Sequence, residues 1–525
     1  MKTIGLLMTF CALQFISIAQ DKLIIFFKDK PSNQAIEFSD LALKRRAKNN
    51  VQLDEYDIPV SSLYIQELQH VGTVLNVSRW MNAVSFSTEL SDSELLNQFE
   101  FIASIKRYSS ETKSKTKKEL DNGTKSLDYG AAFEQIDQIG LNCLHDLGFT
   151  GQGVYLAVID AGFVNMDNIN YFDSVYLENR MTDSHDFVNN ASIYDYSNHG
   201  TYVSSCIVAE KGNPDKYIGT AKDVQLALYV TEDITSETEL EEFNLVAALE
   251  RCDSVGIDVV NISLGYTDFD DPGTSHPYSD FDGQTTIAAQ GVNIAYTKGI
   301  IVAASAGNSG PGTIGTPCDA DHALCVGAID EFGDYASFSS VGPSADNQVK
   351  PDVVARGRDA WLIDSDGILT QANGTSFSSP IMAGAIACLV QAHPSNTVDQ
   401  IMNAIRMSAS QFNAPDIYLG FGIPDFCVAH DILTNSASVA DFNEIDLTIY
   451  PIPAKENITI RSGISGEVQV NIYDLKGNLL FSKNIIHGNE ATAIDLTQYS
   501  SGTYSLEMKH IESGLSLVKK VVISK

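Results

Sequence analysis

Three rhythms of apolar and polar residues divide this chain. In the first, short runs alternate with polar turns. Lys22 to Lys28, Thr73 to Val77, Ala83 to Ser87 and Ile102 to Ile105 read as strands, and Asn33 to Ala47 reads as a helix. Ser91, followed by Glu94 and then Leu95-Leu96, is a capping box that opens a second helix. The resulting order of strand, helix, strand, strand, helix, strand is that of a split β-α-β, ferredoxin-like α+β sandwich. The second rhythm consists of near-continuous apolar runs, Val154 to Ile159, Val259 to Ile262 and Ile301 to Ala306. Such runs mark parallel strands buried on both faces. Between them lie small-residue stretches suited to helices packed on a sheet, Tyr202 to Ala209 and Ile381 to Ala392. The third rhythm follows a polar stretch, Asn435 to Asp441, and is strictly alternating at Val468, Val470 and Ile472. A turn at Lys476-Gly477-Asn478 and a return strand from Leu479-Leu480-Phe481 predict a small all-β sandwich.

The first nineteen residues fit none of these rhythms. Lys2, a short apolar run from Ile4 to Leu13 and the small residues of Ser17-Ile18-Ala19 predict a secretory signal peptide cut before Gln20. No later run reaches the roughly 20 apolar residues a bilayer requires, so no transmembrane segment is expected. The segments are therefore 1–19 signal, 20–112 first domain, 113–128 exposed linker with Lys113, Lys115, Lys117 and Lys118, 129–434 central domain, 435–447 linker and 448–525 β module.

Charge is unevenly shared. Of the net −33, nearly all belongs to the central segment, where Tyr129 to Thr434 carries 10 basic and 41 acidic residues. A field of that sign argues against nucleic acid or an anionic membrane as partner. Apart from Cys11 there are seven cysteines, and an odd number cannot pair completely. Cys318 and Cys325 flank a short stretch and are the best candidates for a disulfide in an oxidising compartment, whereas Cys206 and Cys388 fall on apolar helices and read as buried thiols.

Chemistry enters at the ends of the central apolar runs. Asp160 ends the first run, at the strand terminus where open α/β sheets place their sites. His199 stands in Asn198-His199-Gly200-Thr201 ahead of a helical stretch, and Ser376 lies in Asn373-Gly374-Thr375-Ser376-Phe377-Ser378-Ser379-Pro380, which opens another. A serine hydroxyl needs a neutral imidazole as base, and the imidazole needs a carboxylate to hold its tautomer. Each residue alone has a plainer explanation: strand-end cap, core histidine, loop serine. Together, in the order Asp, His, Ser and without a Gly-x-Ser-x-Gly elbow, they resemble the subtilisin-like serine peptidases.

That resemblance spans Tyr129 to His430 and implies a mostly parallel, doubly wound sheet and an endopeptidase acting on protein or peptide substrates without a catalytic cofactor. It implies that Ser263-Leu264-Gly265 pairs with an extended substrate, that Asn308 completes an oxyanion hole, and that Gly315 lies at the base of a deep apolar pocket for a large hydrophobic residue before the cut. Ala161 stands where the family commonly has Thr or Ser. Structural calcium is common in the family, and Asp268, Asp270, Asp271, Asp280 and Asp282 are candidate ligands, though a solvated acidic loop explains them equally well. The first domain resembles the inhibitory pro-segment of such peptidases. Tyr450-Pro451-Ile452-Pro453-Ala454, Ile472-Tyr473-Asp474-Leu475-Lys476-Gly477 and Gly502-Thr503-Tyr504 resemble a type IX secretion sorting domain, with Ile452 where Asn is usual. A secreted protein, or one on the outer surface of a Gram-negative cell, is expected, with its own pro-segment and the secretion machinery as partners. The competing reading is a surface adhesin built on a non-catalytic peptidase scaffold.

Overall fold

The computed structural model describes residues 21–30, 37–108, 129–312, 314–437 and, in the C-terminal module, 448–450, 454–455, 457–461, 466–473, 479–487, 492–510 and 516–524. The expected signal peptide, the 113–128 linker and the Lys476-Gly477-Asn478 turn lie outside these residues.

In the first domain β1 (Asp21–Phe27), β2 (Thr73–Ser78), β3 (Ala83–Thr88) and β4 (Ile102–Tyr108) form an antiparallel sheet in the order β2-β3-β1-β4. α1 (Asp40–Lys48), α2 (Ser62–Gln69) and α3 (Asp92–Gln98) accompany it. The Ser91–Glu94 capping box opens α3 as expected. Leu68 of α2 and Leu95 of α3 join Leu23, Ile25, Val84 and Phe86 in one core. Two expectations need revision. α1 starts at Asp40, where the Ser39 hydroxyl accepts the Ala42 N–H at 3.0 Å. α2 was not anticipated, because its eight residues bury only Leu68 and so carry almost no periodic signal.

The central domain is built on a seven-stranded parallel sheet: β5 (Tyr155–Asp160), β6 (Met181–Asp186), β7 (Gln225–Val230), β8 (Val259–Ile262), β9 (Ile301–Ser305), β10 (Leu324–Ile329) and β11 (Val353–Arg356), in the order β11-β10-β9-β8-β5-β7-β6. α4 (His199–Val208), α5 (Glu239–Val255), α6 (Ile287–Thr297), α7 (Thr375–Ala392), α8 (Val398–Ser408) and α9 (Phe426–Ala437) follow the strands. The chain enters in the middle at β5, builds one side, then crosses to β8 and builds the other. The order therefore reverses between β5 and β8, the place where such sheets bind ligands. Both faces are covered. Leu156 and Val158 of β5 share a core with Val203 of α4 and Ile381 of α7, and Ala157 and Ile159 share another with Leu245 of α5 and Val292 of α6. α7 is long and apolar enough to cross a bilayer but is buried in this core along nearly its whole length.

Cys318 pairs with Cys325 as anticipated, and Cys143 pairs with Cys427, which was not. Cys206, Cys252 and Cys388 are free and buried. The C-terminal module is a separate compact unit. Its antiparallel three-stranded and four-stranded sheets enclose Ile458, Ile460, Val468, Val470, Ile472, Leu506, Met508 and Val521. The alternation read from Val468 to Ile472 is the inward face of its Gly466–Tyr473 strand.

Candidate active site

Asp160 is the last residue of β5 and is fully buried. One carboxylate oxygen accepts the Ala161 N–H at 2.7 Å, and the two oxygens face His199 Nδ1 at 2.8 and 3.0 Å. The backbone thus holds Asp160 where Ala161 offers no hydroxyl. His199 begins α4, and Gly200 after it packs so tightly that a Cβ there would stand 2.6 Å from the Gly162 carbonyl oxygen and from the Phe163 ring. Only glycine lets this helix start so close to the end of β5. Burial opposes charge on the imidazole, but the Asp160 carboxylate more than offsets it, so the His199 pKa lies above its ordinary value.

Ser376 sits in the first turn of α7 and is only 8% exposed. Its hydroxyl donates to the Ser263 carbonyl oxygen at 3.4 Å, and among the described hydrogen bonds none joins it to His199. Such bonds are often long in an unliganded site and tighten when substrate arrives. Four residues on, Pro380 has no N–H to give the Ser376 carbonyl, which leaves that acceptor unsatisfied inside the helix. The Ser263 hydroxyl fills the gap at 3.0 Å. Asn261 Nδ2 supports Ser263 at 2.9 Å, and Ser379 Oγ donates to Asn261 Oδ1 at 2.8 Å. The end of β8 is therefore stitched to the serine turn by a buried polar network.

Asn308 follows Gly307, whose φ of +100° suits glycine. Its side-chain oxygen accepts from the Thr375 N–H at 2.9 Å and from the Thr375 hydroxyl at 3.1 Å, while that hydroxyl accepts the Gly307 N–H at 3.1 Å. With Oδ1 occupied, Nδ2 is left as a donor beside the α7 N-terminus. Thr375 was missed in the sequence because a Thr before Ser reads as ordinary loop chemistry.

Two cavities meet here. One, of about 200 Å³, is lined by Ser263, Leu264, Gly265, Asn308, Gly315 and Ser376, as the resemblance implied. Its lining is not apolar, however: Thr267, Ser305, Ser309, Thr316 and Ser340 also line it, and a Cβ on Gly315 would meet the Thr267 methyl at 2.6 Å. The other, about 720 Å³, runs past His199, Leu264 and Gly265 and carries Glu232, Asp233, Glu237, Glu241 and Asp270. Burial, with smaller contributions from Glu237 and Asp160, pushes Glu232 up to about 8. Burial, Glu232 and Glu237 push Glu241 up to about 10.

Oxygens of Glu232, Glu237 and Glu241 lie within 4.8 Å of one another, which is hard-cation chemistry, although calcium takes about six to eight oxygens. Glu241 accepts the Asp233 and Thr238 N–H groups, and Glu232 accepts the Thr231 and Tyr266 hydroxyls. Two of the candidate calcium ligands accept backbone N–H groups of their own turns. Asp271 accepts the Gly273 N–H, and Asp282 accepts those of Gln284 and Thr285.

The parallel doubly wound sheet thus ends β5 at Asp160, which pairs with His199, and holds Ser376 against the end of β8, on either side of its switch point. The chain belongs to the subtilase family: residues 151–422 match the Subtilase family, 22–123 the Peptidase S8 propeptide domain of Bacteroidota, and 448–524 the secretion system C-terminal sorting domain. It is 31% identical to Subtilisin DY of Bacillus licheniformis over 282 residues, 53% of this chain and 90% of that protein. It is 30% identical to the subtilisin of Bacillus pumilus over 294 residues, 55% of this chain and 94% of the other. Among solved structures, MycP1 from Mycobacterium smegmatis aligns with a TM-score of 0.46 at 23% identity, covering 61% of this chain and 89% of that one. The protein is thus a subtilisin-like serine peptidase with a propeptide and a sorting tail that marks it for secretion.

Proposed function

We propose that Ser376 attacks the scissile carbonyl of an extended polypeptide, that His199 takes the serine proton and returns it to the leaving amine, and that Asp160 fixes the His199 tautomer and stabilises imidazolium. The oxyanion that develops is met by Asn308 Nδ2 and by the Ser376 N–H at the positive end of α7. The observation that carries this reading is the paired approach of both Asp160 oxygens to His199 Nδ1, at the sheet edge where α7 presents Ser376. Substrate lies along Ser263-Leu264-Gly265 as an added strand, and the 200 Å³ cavity takes an uncharged side chain, since no charged residue lines it among the described residues. The 20–112 segment holds the enzyme silent before processing.

The test is Ser376→Ala. The variant should fold as the parent does, lose labelling by a fluorophosphonate probe and lose turnover by roughly six orders of magnitude. A purified variant that still hydrolyses peptide at the parent rate overturns the assignment, and a parent that never labels favours the adhesin reading.

A further inference from the structure

Away from the cleft, buried charges join the pro-segment to the far ends of α5 and α6. These helices end at Val255 and Thr297, beside the points where β8 and β9 begin. The triad lies at the opposite sheet edge, where strands end. The seventeen residues of α5 alone span about 25 Å. Helix C-termini present unsatisfied carbonyls and a partial negative charge, which a cation can satisfy.

Arginines of the pro-segment do so here. Arg45, 3% exposed, donates to the carbonyls of Cys252, Asp253 and Ile257 at 3.3, 3.0 and 2.8 Å. It also donates to the carbonyl of Lys298 at 3.1 Å and to the Asp253 carboxylate. Arg46 forks onto both oxygens of Asp253 at 3.0 and 2.7 Å and onto Asp57 of its own domain, and its guanidinium lies 4.0 Å from the centre of the Phe38 ring. Arg79 adds a third contact to Asp253 at 2.7 Å and reaches Glu250 at 3.5 Å. In return Lys298, fully buried, donates to Asp54 at 2.6 Å and Asp57 at 3.4 Å. Planar guanidinium groups match this set of carbonyls and forked carboxylates, whereas ammonium groups do not.

We infer that the C-terminal ends of α5 and α6 form an exosite for paired guanidinium groups, and that Arg45 and Arg46 hold the pro-segment there after its covalent link to the peptidase has been cut. This rests on the pro-segment being released by processing. A cut made in the cleft touches nothing at this edge, so the α1 anchor outlasts it. Pro-segment departure leaves Asp253, Glu250 and the helix-end carbonyls uncovered on a segment that is already strongly acidic.

The experiment uses the full chain as Ser376→Ala, so that binding is read without self-cleavage. Limited lysine-specific digestion nicks the Lys113–Lys125 stretch, and size exclusion with native mass spectrometry follows the two parts. The nicked parent should remain one complex. Arg45→Ala/Arg46→Ala should weaken the complex by two to three orders of magnitude, the scale of stranding a buried charge. The Arg→Lys pair should rescue it only in part. Lys28→Ala, whose described partner, the Glu100 carbonyl, lies within the pro-segment, should change nothing. If the double alanine variant does not fold, guanidinium chloride at a sub-denaturing concentration should release the parent pro-segment faster than sodium chloride of equal ionic strength. A folded double variant that binds like the parent, a nicked parent that falls apart at once, or equal release by the two salts overturns the exosite. None of these results depends on whether Ser376 is the nucleophile.

Discussion

Thr375→Val tests how the proposed oxyanion donor is aimed. Valine keeps the shape of a fully buried side chain and removes only the hydroxyl, which accepts from Gly307 N–H at 3.1 Å and donates to Asn308 Oδ1 at 3.1 Å. The Thr375 N–H still holds Oδ1 at 2.9 Å, so the amide keeps one of two restraints. A neutral hydrogen bond is worth about 1 to 1.5 kcal/mol, so the orientation lost should lower kcat about tenfold. Removing the donor itself, as Asn308→Ala, should cost about 10²- to 10³-fold. KM should hardly move in either variant, because the donor acts on charge that appears in the transition state. The half-buried Gly307 N–H left without a partner should also lower stability, by about 1 kcal/mol. The assay is hydrolysis of a chromogenic peptide by active-site-titrated, processed enzyme. The decisive comparison is the double variant: with Asn308 gone, Thr375→Val should cost no further turnover, because it acts only through that amide. Independent, additive losses in kcat, or a Thr375→Val enzyme within twofold of the parent, would refute the positioning role.

Further outcomes follow from the geometry. Because the base works only when neutral and the His199 pKa is raised, kcat/KM should rise with pH along an acidic limb displaced above the ordinary histidine value. Asp160→Asn should move that limb to lower pH while reducing turnover about 10⁴-fold, and an unmoved limb argues against the pairing. Ser263→Ala leaves the Ser376 carbonyl without its only described partner and should destabilise the peptidase domain by about 1 to 3 kcal/mol in chemical denaturation. No change there would mean that another group satisfies the carbonyl. Finally, Glu232 and Glu241 hold protons in the folded state that the unfolded chain loses above the ordinary glutamate range, so their contribution to stability should fall as pH rises from about 5 up to about 8 for Glu232 and about 10 for Glu241. Glu241→Gln should flatten that slope. The other acidic residues of that cavity, Asp233, Glu237 and Asp270, should favour substrates with lysine or arginine in this part of the cleft, a preference that a peptide-library profile at low and high salt would reveal.

The proposed triad stands out in the sequence because each member sits at a boundary between rhythms. Asp160 ends an apolar run, His199 and Ser376 begin helical ones, and such boundaries are where a sheet edge gathers its chemistry. What escaped notice depends on partners far along the chain or on polarity inside a fold. Cys143 and Cys427 are 284 residues apart, and nothing local to either segment points to the other. Thr375 and Ser263 act through hydroxyls whose roles exist only once β8, the Asn308 loop and α7 are side by side. Arg45 and Arg46 lie on the buried side of their helix, and the sequence alone does not reveal that the neighbouring surface is made of helix ends. The apolar pocket failed for a related reason: Gly315 opens space, but the space is walled by Thr267 and serines contributed from elsewhere.

Pro380 has one last implication. The serine helix cannot close its own first turn, since the Ser376 carbonyl finds its partner, among the described hydrogen bonds, on Ser263, at the end of a strand 113 residues earlier in the chain. Local helix formation therefore does not complete the nucleophile's setting, and the sheet must be assembled first. A half-folded copy carries every catalytic residue and still presents no finished site. The hazard a protease poses to the cell making it then scales with the number of completed molecules rather than with the number of chains synthesised.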